Sequence, residues 1–234
     1  MDRHDTVPRT RAALIVWLVF VGLFAALNYA AQLGGPETPD DLAYRYSSSI
    51  SALVVYLVIL AIVVAIAAIS RIGLRAAFAL SRPASWPRAV GLAALSLVAI
   101  YLGAFVYEQV LSMFGDWNPT DEQGLVPTEW DSSRAGAFVA FFLVVTFVGP
   151  AVEELTYRGI GLSLLAPFGA SFAIIATGVL FGAAHGLLIA LPILTIFGIV
   201  VGWLRVRTNS IYPAMLVHAT FNATALIVSV SGVT

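Results

Sequence analysis

The sequence of 234 residues contains no cysteine and no lysine. Without cysteine, the chain has no disulfides, no thiolate nucleophile and no sulfur ligand for a metal. Without lysine, it lacks the amine that Schiff-base chemistry and a P-loop both require. The twelve basic residues are all arginine, so the basic chemistry of this chain is limited to guanidinium groups and three histidines.

Charge of either sign is also scarce. Only 11% of the residues are charged, whereas 60% are hydrophobic. A water-soluble domain of this length could not bury so much apolar surface, so the composition predicts an integral membrane protein with one compact domain. The net charge of −1 does not point to any class of partner.

Seven apolar stretches predict an all-α, polytopic bundle of about seven transmembrane helices. We predict spans at residues 12–33, 51–69, 89–107, 135 to about 153, 171–190, 192–204 and 211–230. The first stretch is too long for the apolar core of a signal peptide, so we interpret it as a retained helix. An eighth helix, re-entrant or split, is compatible with the same pattern. We find no internal repeat.

The loops between these stretches alternate in charge. The N-terminus, the 71–88 loop and the 205–207 turn carry arginine, whereas the 34–46 and 111–134 loops are acidic. Because arginine accumulates on the cytoplasmic side, we expect the N-terminus inside and the C-terminus outside. Trp117 and Trp130, in the second acidic loop, are typical of interfacial anchors. We expect a multi-pass protein of a prokaryotic cell membrane.

Polar residues that lie inside the apolar stretches are the strongest functional signal. The segment Glu153-Glu154-Leu155-Thr156-Tyr157-Arg158 holds the only acids after Asp131. One charge at the centre of a membrane helix costs roughly 2.5 to 3.5 kcal/mol on insertion scales. Glu154 and Arg158 stand at i, i+4 and should pair, whereas Glu153 points elsewhere and stays available for chemistry.

Gly149-Pro150, just before these glutamates, allows two interpretations. A new helix could begin there and place both acids at a positively polarised N-terminus. Alternatively, the proline only kinks a continuous helix.

Two further motifs place polar groups at a similar depth. Phe181 and His185 share one helix face, and so do His218 and Asn222. Each histidine alone could be an interhelical hydrogen-bonding residue. Taken together, Glu153, the histidines and Asn222 predict one water-accessible pocket. Asn222 could hold an imidazole tautomer or donate to an oxyanion.

A carboxylate with two imidazoles supports hydrolysis in two ways. Glu153 could act as general base on a water while a histidine polarises the carbonyl or shares the proton. Alternatively, His185 and His218 bind a divalent metal such as zinc, with glutamate as base or ligand. The residues alone do not choose between the two.

The three motifs, Glu153-Glu154-x-x-x-Arg158, Phe181-x-x-x-His185 and His218-x-x-x-Asn222, resemble those of the CPBP family. This family comprises the type II CAAX prenyl endopeptidases and the bacteriocin-processing (Abi) proteins. The resemblance implies an intramembrane metalloprotease in which Glu153 and His185 activate water. It further implies that His218 and Asn222 are ligands or oxyanion stabilisers, and that Glu154 and Arg158 are a structural pair. The resemblance does not extend to a prenylated substrate for this chain.

We therefore expect residues 1–134 to hold the first three helices and an outer acidic loop, and residues 135–234 to form the catalytic region. The expected partners are membrane lipid and a peptide or protein substrate, with no nucleic acid. A non-catalytic membrane binding, immunity or regulatory protein is the main alternative. A proton-coupled transporter is a further one, although such folds commonly show internal repeats.

Overall fold

The computed structural model describes residues 3–34, 41–115, 127 and 129–231, with side chains from residue 10 onward. Throughout these residues the regular structure is helical, which confirms the predicted all-α class. Six helical segments are long and apolar enough to cross a membrane. The chain is therefore a multi-pass membrane protein with a helical bundle.

Among the described residues, seven long helical elements form the bundle. They are α1 (Arg3–Gly34), α2 (Tyr46–Ser70), α3 (Trp86–Ser112), α4 (residues 135–165), α5 (Ala170–Ala184), α6 (Leu191–Thr208) and α7 (Tyr212–Val230). Short helices lie at Leu42–Tyr44, Leu74–Ala77, Ser132–Arg134 and Ala166–Phe168. The short helix at Ala166–Phe168 turns the chain from α4 into α5, and Gly169 provides the positive φ of 102° that ends it.

Helix α4 is one continuous helical path of five parts. They are Ala135–Leu143, a π-helical turn at Val144–Val148, Gly149–Glu154, a second π-helical turn at Leu155–Gly161, and Leu162–Leu165. Val148 before the Gly149-Pro150 pair is right-handed helical, with φ −71° and ψ −50°. The interpretation with a new helix N-terminus at this pair is therefore wrong, and the glutamates do not lie at a free helix end.

Helix α5 is shorter than its apolar stretch suggested. The predicted span ran to residue 190, but the helix ends at Ala184, and Gly186 has a φ of 70°. With 15 residues it is about 22 Å long at 1.5 Å per residue, which is less than the roughly 30 Å of a hydrocarbon core. His185 thus lies directly at the end of this short helix.

All seven long helices contribute to one hydrophobic core. Trp17 of α1, Val63 of α2, Ile160 of α4 and Phe181 of α5 are all buried in it. Helices from both sides of residue 134 pack in this core. The expected division of the chain at that residue stays a prediction. Helices α5 and α6 pack closely at Gly178 and Gly198, where a Cβ on Gly198 would lie 2.7 Å from the Cα of Gly178.

A small ionic cluster joins the start of α2 to the start of α4. Arg134 contacts Asp41 at 3.0 Å and Asp131 at 2.6 Å. Hydrogen bonds from Ser133 and then from Arg134 lower the pKa of Asp131 to about 2. A hydrogen bond from Arg45 lowers the pKa of Asp41.

Trp130 packs edge-on against Phe138 beside this cluster, with ring centroids 5.3 Å apart. The acids at 37, 40, 116, 121 and 122, Trp117 and the side chains of Arg3 and Arg9 lie outside the described residues. The predicted orientation of the N-terminus stays a prediction.

Candidate active site

Glu154 is a buried carboxylate that contacts two other polar residues in the second half of the chain. Its Oε1 accepts a 2.9 Å hydrogen bond from Nη1 of Arg158, so the expected i, i+4 ion pair is present. The same oxygen lies 2.8 Å from Nδ1 of His218 on α7. Glu154 and Arg158 are fully buried and the His218 side chain is 4% exposed, so each charge depends on its protein partners.

Arg158 is fixed by three different contacts. Besides Glu154, its Nη2 donates a 3.0 Å hydrogen bond to the carbonyl of Gly198 on α6. Its guanidinium lies 4.4 Å from the centre of the Phe181 ring, a favourable cation–π distance. Arginine suits this place because its planar fork serves two acceptors and an aromatic face at once. The ion pair therefore connects α4, α5 and α6.

Glu153 points away from that pair, as the helical geometry predicts. Its side chain is 21% exposed, in contrast to the completely buried Glu154. Its Oε1 accepts a 2.9 Å hydrogen bond from the hydroxyl of Tyr56 on α2. Its Oε2 lies 3.6 Å from Nε2 of His218. Glu153 is thus the accessible carboxylate of the site.

The two imidazoles lie against the same aromatic ring. The Phe181 ring centre is 4.7 Å from that of His185 and 5.6 Å from that of His218. Nδ1 of His185 lies 2.8 Å from the carbonyl oxygen of Phe181. Because a carbonyl only accepts, this Nδ1 carries a proton. We assign the same tautomer to His218, since its Nδ1 faces the carboxylate of Glu154. In the neutral state both rings then offer Nε2 as an acceptor.

Asn222 lies one turn beyond His218 and makes a contact that the sequence did not predict. Its side-chain nitrogen donates a 3.0 Å hydrogen bond to the carbonyl of Val145 in the first π-helical turn. It does not hold an imidazole tautomer, because Glu154 does so for His218 and the Phe181 carbonyl does so for His185. One of its two amide N–H bonds remains for another acceptor.

The π-helical turns explain how backbone carbonyls become available around the glutamates. A π-turn interrupts the regular α-helical hydrogen-bond ladder, and such turns are frequent at functional sites. Val145 in the first turn accepts from Asn222. Thr156 in the second turn accepts a 3.0 Å hydrogen bond from Nε1 of the fully buried Trp17. The two turns therefore connect the Glu153 segment to α7 and to α1.

His185 and His218 are the metal ligands that the sequence predicts. Both histidines hold Nδ1 in a hydrogen bond, as metal-binding imidazoles do. Within the residues that the structure describes, however, no group of three or more histidine or acidic side chains is arranged to hold a metal ion. The side chains therefore do not form a complete metal site in this arrangement.

Residues outside the three motifs also reach the site, and sequence reasoning missed them. Tyr56 of α2 contacts Glu153, and Trp17 of α1 contacts the backbone of Thr156. Asn28 of α1 donates a 2.8 Å hydrogen bond to the carbonyl of Ala184, next to His185. Tyr56 could have been noticed because tyrosine prefers the membrane interface, whereas this one lies well inside an apolar stretch.

Comparison with known proteins agrees with this geometry. Residues 135–224 match the family model described as "Type II CAAX prenyl endopeptidase Rce1-like". The resemblance to the CAAX endopeptidase family is confirmed. The match runs from the start of α4 to Thr224 in α7 and thus includes all three motifs, but it spans fewer than half of the 234 residues. No curated protein and no solved structure matches the chain.

At the level of the family, the match supports an intramembrane endopeptidase of the CAAX type. It also implies a membrane environment and a peptide substrate at the membrane. The match does not include Tyr56, Trp17 or Asn28, since these residues lie before residue 135.

Proposed function

We propose that this chain is an intramembrane endopeptidase in which Glu153 activates a water molecule for attack on a peptide bond. The observation that carries the proposal is the position of Glu153. It is the accessible carboxylate, and its Oε2 lies 3.6 Å from Nε2 of His218. Because the His218 tautomer makes this Nε2 an acceptor, the two acceptors lie close enough together for one water beside them to donate to both.

The reaction follows from these acceptors. Glu153 takes one proton from the water, the second O–H bond donates to an imidazole Nε2, and the water oxygen attacks the peptide carbonyl. The proton on Glu153 then moves to the leaving nitrogen as the C–N bond breaks, which releases an amine and a carboxylic acid. We assign the remaining N–H of Asn222 to the oxyanion that forms in between.

His185 and His218 have different places in this proposal. His218 is held by the buried Glu154 and faces Glu153 directly. His185 lies at the end of α5, also against the Phe181 ring, and is held by a backbone carbonyl. Family resemblance assigns His185 to water activation with Glu153. We therefore assign both imidazoles to the site, with His218 as the closer acceptor for the water.

A divalent metal, zinc in particular, stays a prediction from the sequence, with His185 and His218 as its ligands. When bound, a metal would supply a more acidic water and polarise the carbonyl. The measurement is the metal content of the purified protein, compared with that of a His185→Ala/His218→Ala double variant. One equivalent of metal in the wild type that disappears in the double variant would support this prediction.

Glu153→Gln is the decisive test of the proposal. Membrane proteomes of cells that express wild type or Glu153→Gln should differ in at least one peptide terminus, present only with the wild type. Glu108→Gln is the matched control, because Glu108 lies exposed at the end of α3. If no terminus depends on Glu153 at equal protein abundance, the endopeptidase proposal is wrong and a non-catalytic binding or immunity function takes its place.

A cell-membrane location and a prokaryotic origin complete the proposal. They rest on the use of arginine for every basic residue and on the six described helices that are long enough to cross a membrane. Fractionation of the native host would test the location.

A further inference from the structure

Tyr56 lies outside the family-matched region but touches the carboxylate that the proposed function makes the base. Its hydroxyl donates a 2.9 Å hydrogen bond to Oε1 of Glu153. The tyrosine is half-buried and packs against the main hydrophobic core. It comes from α2, 97 residues away in the sequence.

The chain makes room for this tyrosine at Gly149. A Cβ at that position would lie 2.7 Å from Oη of Tyr56 and 2.8 Å from its Cζ. Gly149 and Glu153 stand at i, i+4 on α4, so they share one helix face. The phenol ring therefore lies across the glycine, and its hydroxyl reaches the carboxylate one turn further along. The space at Gly149 and the hydrogen bond to Glu153 are two separate observations, and both indicate that Tyr56 packs specifically against this face of α4.

The hydrogen bond from Tyr56 restricts the orientation of the Glu153 carboxylate. The last torsion of a glutamate side chain is broad, so a carboxylate without fixed partners can present either oxygen in many directions. Tyr56 holds Oε1, and this leaves Oε2 directed at Nε2 of His218. The partners of the two oxygens come from two different helices, α2 and α7.

We propose that Tyr56 is a positioning residue for the reaction, which orients the Glu153 carboxylate so that Oε2 meets the water beside His218. The inference rests on the proposed function, since it assigns Glu153 as the base. It also gives the N-terminal half of the chain a part in the site, because α2 supplies the group that fixes the base. A positioning residue acts on turnover rather than on substrate affinity.

Tyr56→Phe removes only the hydroxyl. We expect kcat to fall about 10-fold to 100-fold, the range that corresponds to a hydrogen bond to a charged group, while KM stays within about twofold. The probe is a quenched fluorescent peptide that carries the cleavage site found by comparing wild type with Glu153→Gln. Tyr46→Phe is the matched control, because Tyr46 lies on the same helix but is 59% exposed. It should leave both constants unchanged.

Gly149→Ala provides a second variant that keeps the hydroxyl but displaces it, since the new methyl group would occupy its place. It should lower kcat in the same way, and it replaces Tyr56→Phe if that variant does not fold. If kcat stays within twofold of wild type in the folded variants while Glu153→Gln is inactive, the role of Tyr56 is wrong and the proposed function stands. If Glu153→Gln retains activity, the proposed function itself is wrong.

Discussion

Oε1 of Glu154 and Nδ1 of His218 lie 2.8 Å apart, although 64 residues separate them in the sequence. This contact makes Glu154 more than the partner of Arg158. The carboxylate fixes the imidazole tautomer, and the tautomer in turn decides that Nε2 faces Glu153 as an acceptor. The two adjacent glutamates thus act on one histidine from its two nitrogens.

Glu154→Gln should destabilise the protein strongly. The substitution leaves Arg158 buried without a counter-charge, and removing one partner of a buried ion pair typically costs about 3 to 5 kcal/mol. Thermal unfolding in detergent should therefore shift well below that of the wild type, and activity should be lost. The control is Asp41→Asn, whose pairs with Arg45 and Arg134 are partly exposed and worth about 0 to 1 kcal/mol. Equal stability of both variants would contradict a structural role for Glu154.

Asn222→Ala tests the assignment of the amide to the oxyanion. Loss of the hydrogen bond to Val145 alone should lower the stability by about 0.5 to 1.5 kcal/mol. Loss of an oxyanion donor should in addition lower kcat by roughly 10² to 10³-fold. Thr224→Ala on the same helix is the control, because its hydroxyl only bonds the carbonyl of Thr220. A loss of stability with kcat unchanged would show that Asn222 only provides a hydrogen bond between α4 and α7.

The ionic cluster at the start of α2 and α4 should depend on pH. Asp131 has a pKa lowered from 3.8 to about 2, mainly by hydrogen bonds from Ser133 and Arg134. A carboxyl with a lowered pKa in the folded state stabilises that state above its ordinary pKa, and this contribution disappears as pH falls toward the lowered value. We expect the contact to be intact at pH 5 and to be lost progressively between about pH 4 and pH 2.

Trp130 reports on this change, since it packs against Phe138 beside the cluster. The fluorescence difference between wild type and Trp130→Phe should change over that acidic range. In Arg134→Gln the same change should begin at higher pH, because Asp131 and Asp41 both lose a cationic partner. An unchanged midpoint in Arg134→Gln would contradict the assigned cause.

Much of the fold and the core of the site could be predicted from the sequence, for a physical reason. Charged and polar residues are costly inside a membrane, so Glu153, Arg158, His185 and His218 stand out against an apolar background. The helical period then predicts that the side chains of Glu153 and Glu154 point in different directions. In the structure they do, and they have different partners. Local rules were sufficient wherever the partner lay within one turn, as for Glu154 and Arg158.

Predictions that depended on long-range contacts could not be made in the same way. Glu154 bonding to His218, and Tyr56 bonding to Glu153, both join helices whose rotation and depth no local pattern gives. The sequence analysis also did not predict the π-helical turns. No residue type marks a π-helical turn as clearly as proline marks a helix break. The end of α5 at Ala184 falls inside an unbroken apolar stretch, where hydrophobicity cannot mark it.

Gly198→Ala should disturb the site from outside it. The new Cβ would lie 2.7 Å from the Cα of Gly178 and 2.8 Å from its carbonyl oxygen, so α5 and α6 must move apart. The carbonyl of Gly198 also accepts from Arg158, and a shift of α6 therefore weakens the support of the Glu154 pair. We expect a loss of about 1 to 3 kcal/mol in stability, the usual cost of overpacking, and reduced activity. Thermal unfolding in detergent and turnover of the same peptide provide the two measurements.

Gly22→Ala separates this effect from the general effect of alanine in a helix. Gly22 lies on α1 with no atom within 4 Å of its added Cβ. Alanine there should leave stability unchanged or raise it slightly, because alanine is the better helix former. If Gly198→Ala behaves like Gly22→Ala, the close approach of α5 and α6 does not hold Arg158 in place. In that case Glu154 and the Phe181 ring suffice to keep the guanidinium where it is.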